Sequence, residues 1–285
     1  MITVRIWGGL GNQMFQYAYA RALRARTKQE VFIDKQGVFR ESLEMGIIRD
    51  YALDCFKITL TETPDIMKKY SFLERNSTGK RLRYELAARR IISPWLYIEK
   101  DEGFVSDLYD FEGDMYLQGW FQNERYFCDY REIILKEFEL KHKYNIDNEL
   151  SDILKNEQTV SVHIRRGDYK SLNFALPLDY QKAAIEYMEQ KYDDPFFLFF
   201  SDDVEWVKSN MNMPKKYRII SGGEYRDYEE MNLMSRCKNN IIANSTFSWW
   251  GAWLNNNNSK IVIAPKNWMR LKEPLSIVPQ EWVVL

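Results

Sequence analysis

Several features that define large classes of protein are missing from this sequence. The longest purely apolar run spans Phe196 to Phe200, far short of the roughly 20 residues that a membrane-spanning helix requires. The formal net charge of −1 gives no overall attraction to nucleic acid, so any bound anion must be held by a local cluster of cations. We therefore expect no membrane span and no nucleic-acid partner.

Cysteine is scarce as well. The three residues Cys55, Cys128 and Cys237 are far apart and fit no metal-ligand spacing, which is typical of a reducing compartment. The opening stretch Met1-Ile-Thr-Val-Arg-Ile6 has neither the basic nor the apolar region of a secretory signal. We therefore expect a soluble protein with a cytoplasmic location.

The composition that is present describes an ordinary globular protein. Of 285 residues, 45% are hydrophobic and 28% are charged, and a chain of this length can form two domains of ordinary size. The polar stretch from Lys141 to Glu157 contains no convincing strand. We place the boundary there and predict an N-terminal domain over residues 1–150 and a C-terminal domain over residues 151–285.

The N-terminal half begins with a strand, a turn and a helix. The sequence predicts a strand from Ile2 to Trp7, a glycine-rich turn from Gly8 to Gln13, a helix from Met14 to Arg26, and then a second strand, Val31–Asp34. Such a turn sets backbone N–H groups near any bound anion.

Two further segments of this half each have two interpretations. Tyr116 to Gln122 predicts a strand that leads into a helix capped at Asn123 and extending to about Phe138. The aromatic residues of this segment belong to the core or, as the second interpretation, form a platform for a sugar. Residues 80–95 contain a basic helix, which is a solvated face in the first interpretation and a peripheral contact with an anionic membrane in the second.

From residue 159 onward, strands alternate with helices. Strands are predicted over 159–164, 196–200, 217–221, 240–243 and 260–264, and helices over 179–191, 203–211, 227–237 and 246–255. This alternation predicts a parallel, doubly wound α/β sheet. In such sheets, ligands bind at the carboxyl ends of the strands.

Polar side chains follow four of these predicted strands. They are Arg165, Arg166 and Asp168 after the first strand, Ser201, Asp202 and Asp203 after the second, Ser221 after the third, and Asn244, Ser245 and Thr246 after the fourth. Acidic residues at such an edge can accept hydrogen bonds from a ribose or a base, and hydroxyls at a helix N-terminus can hold phosphate. Taken singly, the serines and aspartates are also good helix caps.

Two adjacent arginines at one strand end need anionic partners, because unpaired guanidiniums would repel each other. Pairing of Arg166 with Asp168, and of Arg165 with another carboxylate, would be a structural arrangement. The alternative is a phosphate clamp, since the planar guanidinium binds phosphate oxygens in a bidentate manner. His163 lies on the Arg165 side of the same strand, either as a core residue or as part of the site.

Five sequence blocks resemble those of one enzyme family. They are Gly9-Leu-Gly-Asn-Gln-Met-Phe-Gln-Tyr-Ala18, Gly119-Trp-Phe-Gln-Asn-Glu-Arg-Tyr-Phe127, His163-Ile-Arg-Arg-Gly-Asp-Tyr169, Phe200-Ser-Asp-Asp203 and Asn244-Ser-Thr-Phe-Ser-Trp-Trp-Gly-Ala-Trp253. In their order, and across nearly the whole chain, these blocks are similar to those of the α-1,2-fucosyltransferases. That family consists of inverting glycosyltransferases that use GDP-fucose as the donor. The third block also resembles a motif of the α-1,6- and protein O-fucosyltransferases.

The resemblance implies a GT-B-like α/β fold, in which two Rossmann-type domains face each other across a cleft. The first domain would lie on the acceptor side and the second would hold GDP-fucose. The resemblance implies that Arg165 contacts the β-phosphate, that Arg166 and Asp168 shape the loop, and that His163 meets the guanosine. We predict Arg165, Asp168 and His163 as the catalytic residues. The donor-binding residues that the resemblance implies are Gly11, Asn12, His163, Arg165, Arg166, Asp202, Asp203, Ser245, Thr246 and Phe247. The acceptor would be the 2-hydroxyl of a terminal β-galactoside in an oligosaccharide or a lipid-linked glycan precursor.

No Asp-x-Asp motif occurs in the chain, although many nucleotide-sugar enzymes use one to hold a divalent metal. The diphosphate leaving group gains negative charge as the glycosyl bond breaks, so a cation at that position lowers the barrier. Arg165 and helix N-termini would replace the metal, and we expect neither a metal nor another cofactor. The candidates for the base that takes the proton of the acceptor are His163, Asp168 and N-terminal carboxylates such as Asp34, and a route through an oxocarbenium-like sugar needs no strong base.

Two other functions remain as alternatives. The turn at Gly9 and Gly11, with Asp34 at the end of the next strand, fits a dinucleotide-dependent oxidoreductase. Met14, however, stands where a third glycine is expected. A non-catalytic glycan-binding module would use the aromatic residues and would not need two adjacent arginines.

Overall fold

The computed structural model describes residues 1–38, 49–64, 95–99, 103–268 and 277–285, and the side chains of Asp168, Ser171 and Leu172 lie outside that description. The chain divides into two compact units, Met1–His142 and Lys143–Leu285. Each unit is built on a parallel sheet with helices, which confirms the predicted α/β class. The division comes slightly before the boundary that the sequence predicts after residue 150.

The first unit is a four-stranded parallel sheet with one long helix. Its elements are β1 (Ile2–Arg5), α1 (Leu10–Thr27), β2 (Val31–Asp34), β3 (Leu96–Ile98), α2 (Ser106–Tyr109), β4 (Met115–Gln118) and α3 (Arg131–Glu137). The strand order is β2-β1-β4-β3. Since β1 and β4 are neighbours in parallel register, their carboxyl ends lie side by side.

Helix α1 starts earlier than the sequence predicts. The chain turns at Gly8, which has a φ of 79°, and Gly9 is the extended N-cap residue. Gly11 and Asn12 therefore lie in the first helical turn and not in a loop. A positive φ is accessible to glycine without steric cost, which explains how the turn is completed within so few residues.

The sequence predicts one continuous helix from Asn123 to about Phe138, and this prediction is wrong because the helix is interrupted. Asn123 does act as the cap, because its side chain accepts a hydrogen bond from the Arg125 N–H. It caps only a 3₁₀ turn, Glu124–Tyr126, and a second 3₁₀ turn, Cys128–Tyr130, precedes α3. The two turns are separated by Phe127 in a non-helical conformation, with φ −143° and ψ −2°. Tyr126 and Phe127 are both fully buried, and their rings contact Tyr19 and Phe15 of α1.

The second unit is a six-stranded parallel sheet covered on both faces. Its elements are α4 (Asn148–Asn156), β5 (Thr159–Ile164), α5 (Gly167–Leu172), α6 (Leu178–Lys191), β6 (Phe196–Ser201), α7 (Val204–Asn210), β7 (Tyr217–Ile219), α8 (Asp227–Arg236), β8 (Asn239–Ile241), α9 (Thr246–Trp253), β9 (Val262–Ala264) and β10 (Val283–Val284). The strand order is β10-β9-β8-β5-β6-β7. The predicted doubly wound sheet is thus confirmed, while the elements α4, α5 and β10 were not predicted.

The core explains why β5 and β6 form the centre of this sheet. Every residue of β5 is buried. On one face, Val160 and Val162 pack with Ala184 and Met188 of α6. On the other face, residues of β6 pack with α4 and α8. Strand β6 is a nearly continuous apolar run, as is usual for a strand buried on both faces, whereas β5 alternates apolar and polar residues. The carboxyl ends of the two strands are presented together at one edge.

The helices in the described ranges bear on the expected absence of a membrane span. None of the helices there combines the length and the apolar composition that crossing a bilayer requires. The basic segment over residues 80–95 lies outside the described residues apart from Trp95. A membrane contact through this segment therefore stays a prediction.

Candidate functional site

The side chains that follow β5 meet those that follow β6. The two strands are paired so that Ile164 lies opposite Ser201. Nη1 of Arg165 lies 3.1 Å from Oδ2 of Asp202. Nε of Arg166 lies 3.5 Å from Oδ2 of Asp203. Each arginine after β5 is therefore paired with one aspartate after β6.

The carboxylate of Asp202 fixes the loop that carries the arginines. Its Oδ1 accepts a hydrogen bond from the backbone N–H of Arg166 at 2.8 Å, and its Oδ2 accepts one from the backbone N–H of Gly167 at 3.1 Å. Together with the ion pair to Arg165, the carboxylate binds three donors. Asp202 thus sets both the start of α5 and the position of the Arg165 side chain.

Gly167 is required for its lack of a side chain and not for its backbone conformation. Its φ lies outside the positive range that favours glycine. A Cβ atom at this position would lie only 2.6 Å from Oδ2 of Asp202. Glycine is therefore needed here for the close approach of the carboxylate to the backbone.

Replacing Gly167 by alanine is expected to lower the free energy of unfolding by about 1–3 kcal/mol, because the displaced carboxylate would leave charge-assisted backbone bonds unmade. Urea denaturation measures the change. Gly103→Ala is the control, since no atom of the described residues lies within 4 Å of a Cβ added at Gly103, and a change within about 0.5 kcal/mol is expected there. Equal stability of both variants would contradict the role given to Gly167.

Asp203 and Arg166 mainly hold α5 against α7. Asp203 caps α7 by accepting a hydrogen bond from the Trp206 N–H at 3.3 Å, and it forms an ion pair with Lys170. The hydrogen bond from Lys170 is the main cause that lowers the pKa of Asp203. The guanidinium of Arg166 lies 3.5 Å from the ring centre of Trp206. Arg166 pairs with Asp203, and the predicted pairing of Arg166 with Asp168 stays a prediction, because the Asp168 side chain lies outside the described residues.

His163 is a buried histidine with an unsatisfied ring nitrogen. It is only 5% exposed, and its Nδ1 has no hydrogen-bond partner within the described part of the chain. Burial, followed by the nearby charge of Arg165, lowers the pKa of His163 to about 3. The imidazole is therefore neutral at physiological pH. A buried polar atom without a partner is uncommon in folded proteins and calls for a ligand or a water.

The N-terminus of α9 lies beside this histidine. The ring of Phe247, in the first turn of α9, lies 5.5 Å from the His163 ring between centroids. Ser245 is the buried N-cap residue, its side chain does not cap the helix, and the first turn contains no acidic residue. Thr246 and Phe247 are half-buried. Helix N-termini attract anions through their N–H groups and dipole, so this edge can hold a negatively charged ligand.

A carboxyl group that the sequence did not predict belongs to the same edge. Oε2 of Glu230 accepts a hydrogen bond from Oγ of Ser221 at 2.8 Å, and that Oγ in turn accepts one from the Ser201 N–H at 2.9 Å. Burial raises the pKa of Glu230 to about 7. The prediction considered only residues directly after strands. Glu230 lies in the first turn of α8, and the first helical turn after a strand also lies near that strand's carboxyl end.

The remaining predicted residues lie in the first unit. Oδ1 of Asn12 accepts a hydrogen bond from Nε2 of Gln122 at 3.0 Å, and Gly11 is buried in α1. Asp34 is fully buried and accepts hydrogen bonds from the Tyr116 hydroxyl at 2.6 Å and from the Gln36 N–H at 3.1 Å. Asp34 is therefore engaged in the core and not placed as an open ribose-binding acid. The approach of Gly11 and Asn12 to a pyrophosphate stays a prediction.

A family model and the known relatives of the chain agree on the class of protein, which is a glycosyltransferase. Residues 101–285 match the family described as glycosyl transferase family 11. The chain is 35% identical over 300 residues to an alpha-1,2-colitosyltransferase of Escherichia coli, covering 99% of this chain and 98% of that protein. It is 23% identical over 271 residues to the galactoside 2-alpha-L-fucosyltransferase SEC1 of Bos taurus, covering 89% of this chain and 64% of that protein.

The fold also has a solved counterpart. The crystal structure of fucosyltransferase NodZ from Bradyrhizobium aligns with a TM-score of 0.51 and 13% identity, covering 88% of this chain and 92% of that chain. At this identity the likeness concerns the fold alone, which is GT-B-like, as the sequence predicts. The match over more than half of the chain and the E. coli relative over nearly all of it establish that the chain is a glycosyltransferase and belongs to glycosyl transferase family 11.

Proposed function

We propose that the protein transfers L-fucose from GDP-fucose to the 2-hydroxyl of a terminal β-galactoside. The observation that carries the proposal is the meeting of Arg165, the unsatisfied Nδ1 of His163 and the N-terminus of α9 at one sheet edge. The names of two relatives, a galactoside 2-alpha-L-fucosyltransferase and an alpha-1,2-colitosyltransferase, support the reaction class. Colitose lacks the 3-hydroxyl of fucose, so GDP-colitose is the competing donor.

Arg165 is assigned to the diphosphate. A guanidinium has five N–H donors, so Arg165 can bind Asp202 and a phosphate at the same time. Its side chain is 31% exposed and can therefore be reached by a ligand. Because Asp202 orients the guanidinium before the ligand binds, little reorganisation accompanies the charge that develops on the leaving GDP. This arrangement supports a transfer that needs no metal.

His163 is assigned to donor binding and not to proton abstraction. A histidine with a pKa near 3 is a weak base at neutral pH, whereas its neutral ring still offers a hydrogen bond through Nδ1. The sequence predicts a catalytic role for His163. We propose instead that His163 orients the bound donor. Asp168, which follows the arginine loop in the first turn of α5, and carboxylates of the first unit remain the candidates for the base.

Glu230 is assigned to recognition of guanine. Guanine presents N1–H and an exocyclic amine on one edge, and a carboxylate can accept from both. Asp202 and Asp203, which the resemblance implies for the nucleoside, already accept hydrogen bonds from backbone N–H groups and form ion pairs. The carboxyl of Glu230 has a pKa raised to about 7 by burial. Additional N–H donors from a base would favour its ionised form.

This assignment predicts how GDP affinity depends on pH. If guanine binds the ionised form of Glu230, protonation competes with binding below pH 7. Affinity should then be about tenfold weaker at pH 6 than at pH 8. Titration calorimetry at both pH values measures the Kd for GDP with the wild type and with Glu230→Gln. Titration of the GDP phosphates affects both proteins equally, so any difference between their pH dependences comes from Glu230. Glu186→Gln, on an exposed position of α6, is the control. An unchanged pH dependence in Glu230→Gln would contradict the assignment.

The function is tested by a transfer assay with GDP-fucose and GDP-colitose against a panel of galactose-terminated acceptors in the presence of EDTA. We expect transfer from GDP-fucose with a new linkage at the 2-hydroxyl of galactose, identified by NMR of the product. Transfer from GDP-colitose alone would correct the donor. Activity that disappears with EDTA and returns with magnesium or manganese would contradict the metal-free mechanism.

A further inference from the structure

Two tryptophans stack on each other at the carboxyl edge of the first sheet. Trp7 follows β1 and Trp120 follows β4, and these strands are neighbours in the sheet. The ring centroids lie 3.9 Å apart, with 22° between the planes. Both side chains are half-buried, so part of the aromatic surface faces outward. Ligands of parallel α/β sheets bind at this edge.

The loop that carries Trp120 is held in place by a dedicated carboxylate. Oε2 of Glu99 accepts hydrogen bonds from the Trp120 N–H at 2.5 Å and from the Phe121 N–H at 3.1 Å. A Cβ atom at Gly119 would lie 2.7 Å from this same oxygen, so glycine is required for the approach. The loop is therefore built to fix the position of Trp120.

The backbone of this loop is strained. Phe121 has a φ of 51°, a left-handed conformation that is uncommon for a bulky residue and costs free energy. Trp7 is fixed as well, because its Nε1–H donates to the Gly119 carbonyl at 3.2 Å and its N–H donates to Oε1 of Gln16 at 2.8 Å. Strain of this kind is concentrated at functional sites. Fixed backbone and fixed rings together give a rigid surface.

The pair differs from the core aromatics next to it. Tyr19, Phe121 and Tyr126 pack against one another and are fully buried. Trp7 and Trp120 are only half-buried. The hydrogen-bonded amides of Asn12 and Gln122 lie nearby, since a Cβ at Gly8 would touch both Asn12 and Trp120. A flat aromatic surface next to polar amides matches the general design of small-molecule sites.

We propose that Trp7 and Trp120 form the platform on which the terminal galactose of the acceptor stacks. The inference rests on the proposed function and names the site of its acceptor. Galactose carries its 4-hydroxyl on one face and presents C–H groups on the other. Those C–H groups have partial positive charge and are attracted to the electron-rich face of an indole, while side-chain amides can bind the hydroxyls.

Two cations lie near this edge. Arg5 lies 5.3 Å from the ring centre of Trp7 but is only 4% exposed. Its guanidinium donates to Oε1 of Gln118 at 3.2 Å and to the Gly37 carbonyl at 3.3 Å, so it is not available to a diphosphate. Arg49 is half-buried, and its Nη1 would lie 3.4 Å from a Cβ added at Gly9. The aromatic platform with its neighbouring amides supplies the groups that bind a hexose.

The test compares the KM for lactose with the KM for the donor. Trp7→Ala and Trp120→Ala should each raise the KM for lactose about tenfold or more, because stacking is lost, with the KM for GDP-fucose unchanged. Trp120→Phe should retain much of the affinity. Trp95→Ala is the matched control, since Trp95 is a half-buried tryptophan at the amino end of β3, on the opposite edge of the same sheet. Its acceptor KM should stay at the wild-type value.

A second measurement tests the platform without turnover. In the absence of donor, lactose should shift the indole N–H NMR signals of Trp7 and Trp120, assigned from the Trp7→Phe and Trp120→Phe variants, and mannose should not. No shift with lactose, or an unchanged acceptor KM in folded alanine variants that still transfer fucose, would overturn the platform and leave the proposed function standing. A lactose-induced shift in a wild-type protein that transfers no sugar to any galactoside would support the platform and overturn the proposed function.

Discussion

Arg165→Ala is expected to lower kcat about a hundredfold or more, in line with the loss of one preorganised electrostatic donor at a developing charge. The effect should appear at saturating donor and acceptor, because the negative charge on the leaving diphosphate is larger in the transition state than in the bound substrate. Steady-state kinetics with GDP-fucose and a galactoside acceptor measure it. Arg165→Lys should recover little, since one ammonium cannot reproduce the geometry of the planar guanidinium.

The matched control for this variant is another arginine of the second unit. Arg218, in β7, lies 2.7 Å from Oδ2 of Asp147, so it is also an arginine paired with an aspartate. Arg218→Ala should change stability and leave kcat close to wild type. A folded Arg165→Ala protein with near wild-type turnover would contradict the role of Arg165 in the reaction.

The second large effect concerns Asp202. Because its carboxylate binds Arg165 and two backbone N–H groups of the same loop, Asp202→Ala should misplace the guanidinium. We expect a loss in kcat/KM of about the same size as for Arg165→Ala. In the double variant the losses should not multiply, since residues that act as a unit are strongly non-additive. A double-mutant cycle on kcat/KM measures this coupling.

The control cycle uses the pair Asp147 and Arg218. Asp147 resembles Asp202 in its contacts, because it binds an arginine and accepts a hydrogen bond from the backbone N–H of Leu150 at 2.8 Å. The pKa of Asp147 is lowered to about 2, chiefly by the hydrogen bond from Arg218. This cycle should show coupling in stability but not in kcat/KM. Independent, multiplying losses for Asp202 and Arg165 would show that the aspartate does not act through the arginine.

The parallel sheet of the second unit was predictable because its signal is local and strong. Strands buried on both faces give apolar runs, and the helices between them repeat at regular spacing. The sequence also placed Arg165, Arg166, Asp202 and Asp203 at one edge, since the ends of parallel strands meet there. The pairing of each arginine with a particular aspartate depends on side-chain packing across β5 and β6 and was not predictable.

Three other features could not be predicted from the sequence for a similar reason. At the break around Phe127, Tyr126 and Phe127 pack against Tyr19 and Phe15 of α1, contacts that the pattern of one segment does not reveal. The need for glycine at position 167 arises from the carboxylate of Asp202, a residue distant in sequence. Glu230 was missed because its position in α8 matters only once the helix is placed after β7. In each case the deciding contact is long-range.

Binding of GDP is the measurement that tests the central claim most directly, because a guanosine diphosphate site at the carboxyl edge of the second sheet underlies every role proposed for Arg165, His163 and Glu230. At a concentration about 100-fold above Kd, GDP should stabilise the fold by roughly 2.7 kcal/mol, which is on the order of several degrees in Tm. The shift should shrink strongly in Arg165→Ala, and NAD and NADP should give none. A rise in Tm with NAD and none with GDP would contradict the account.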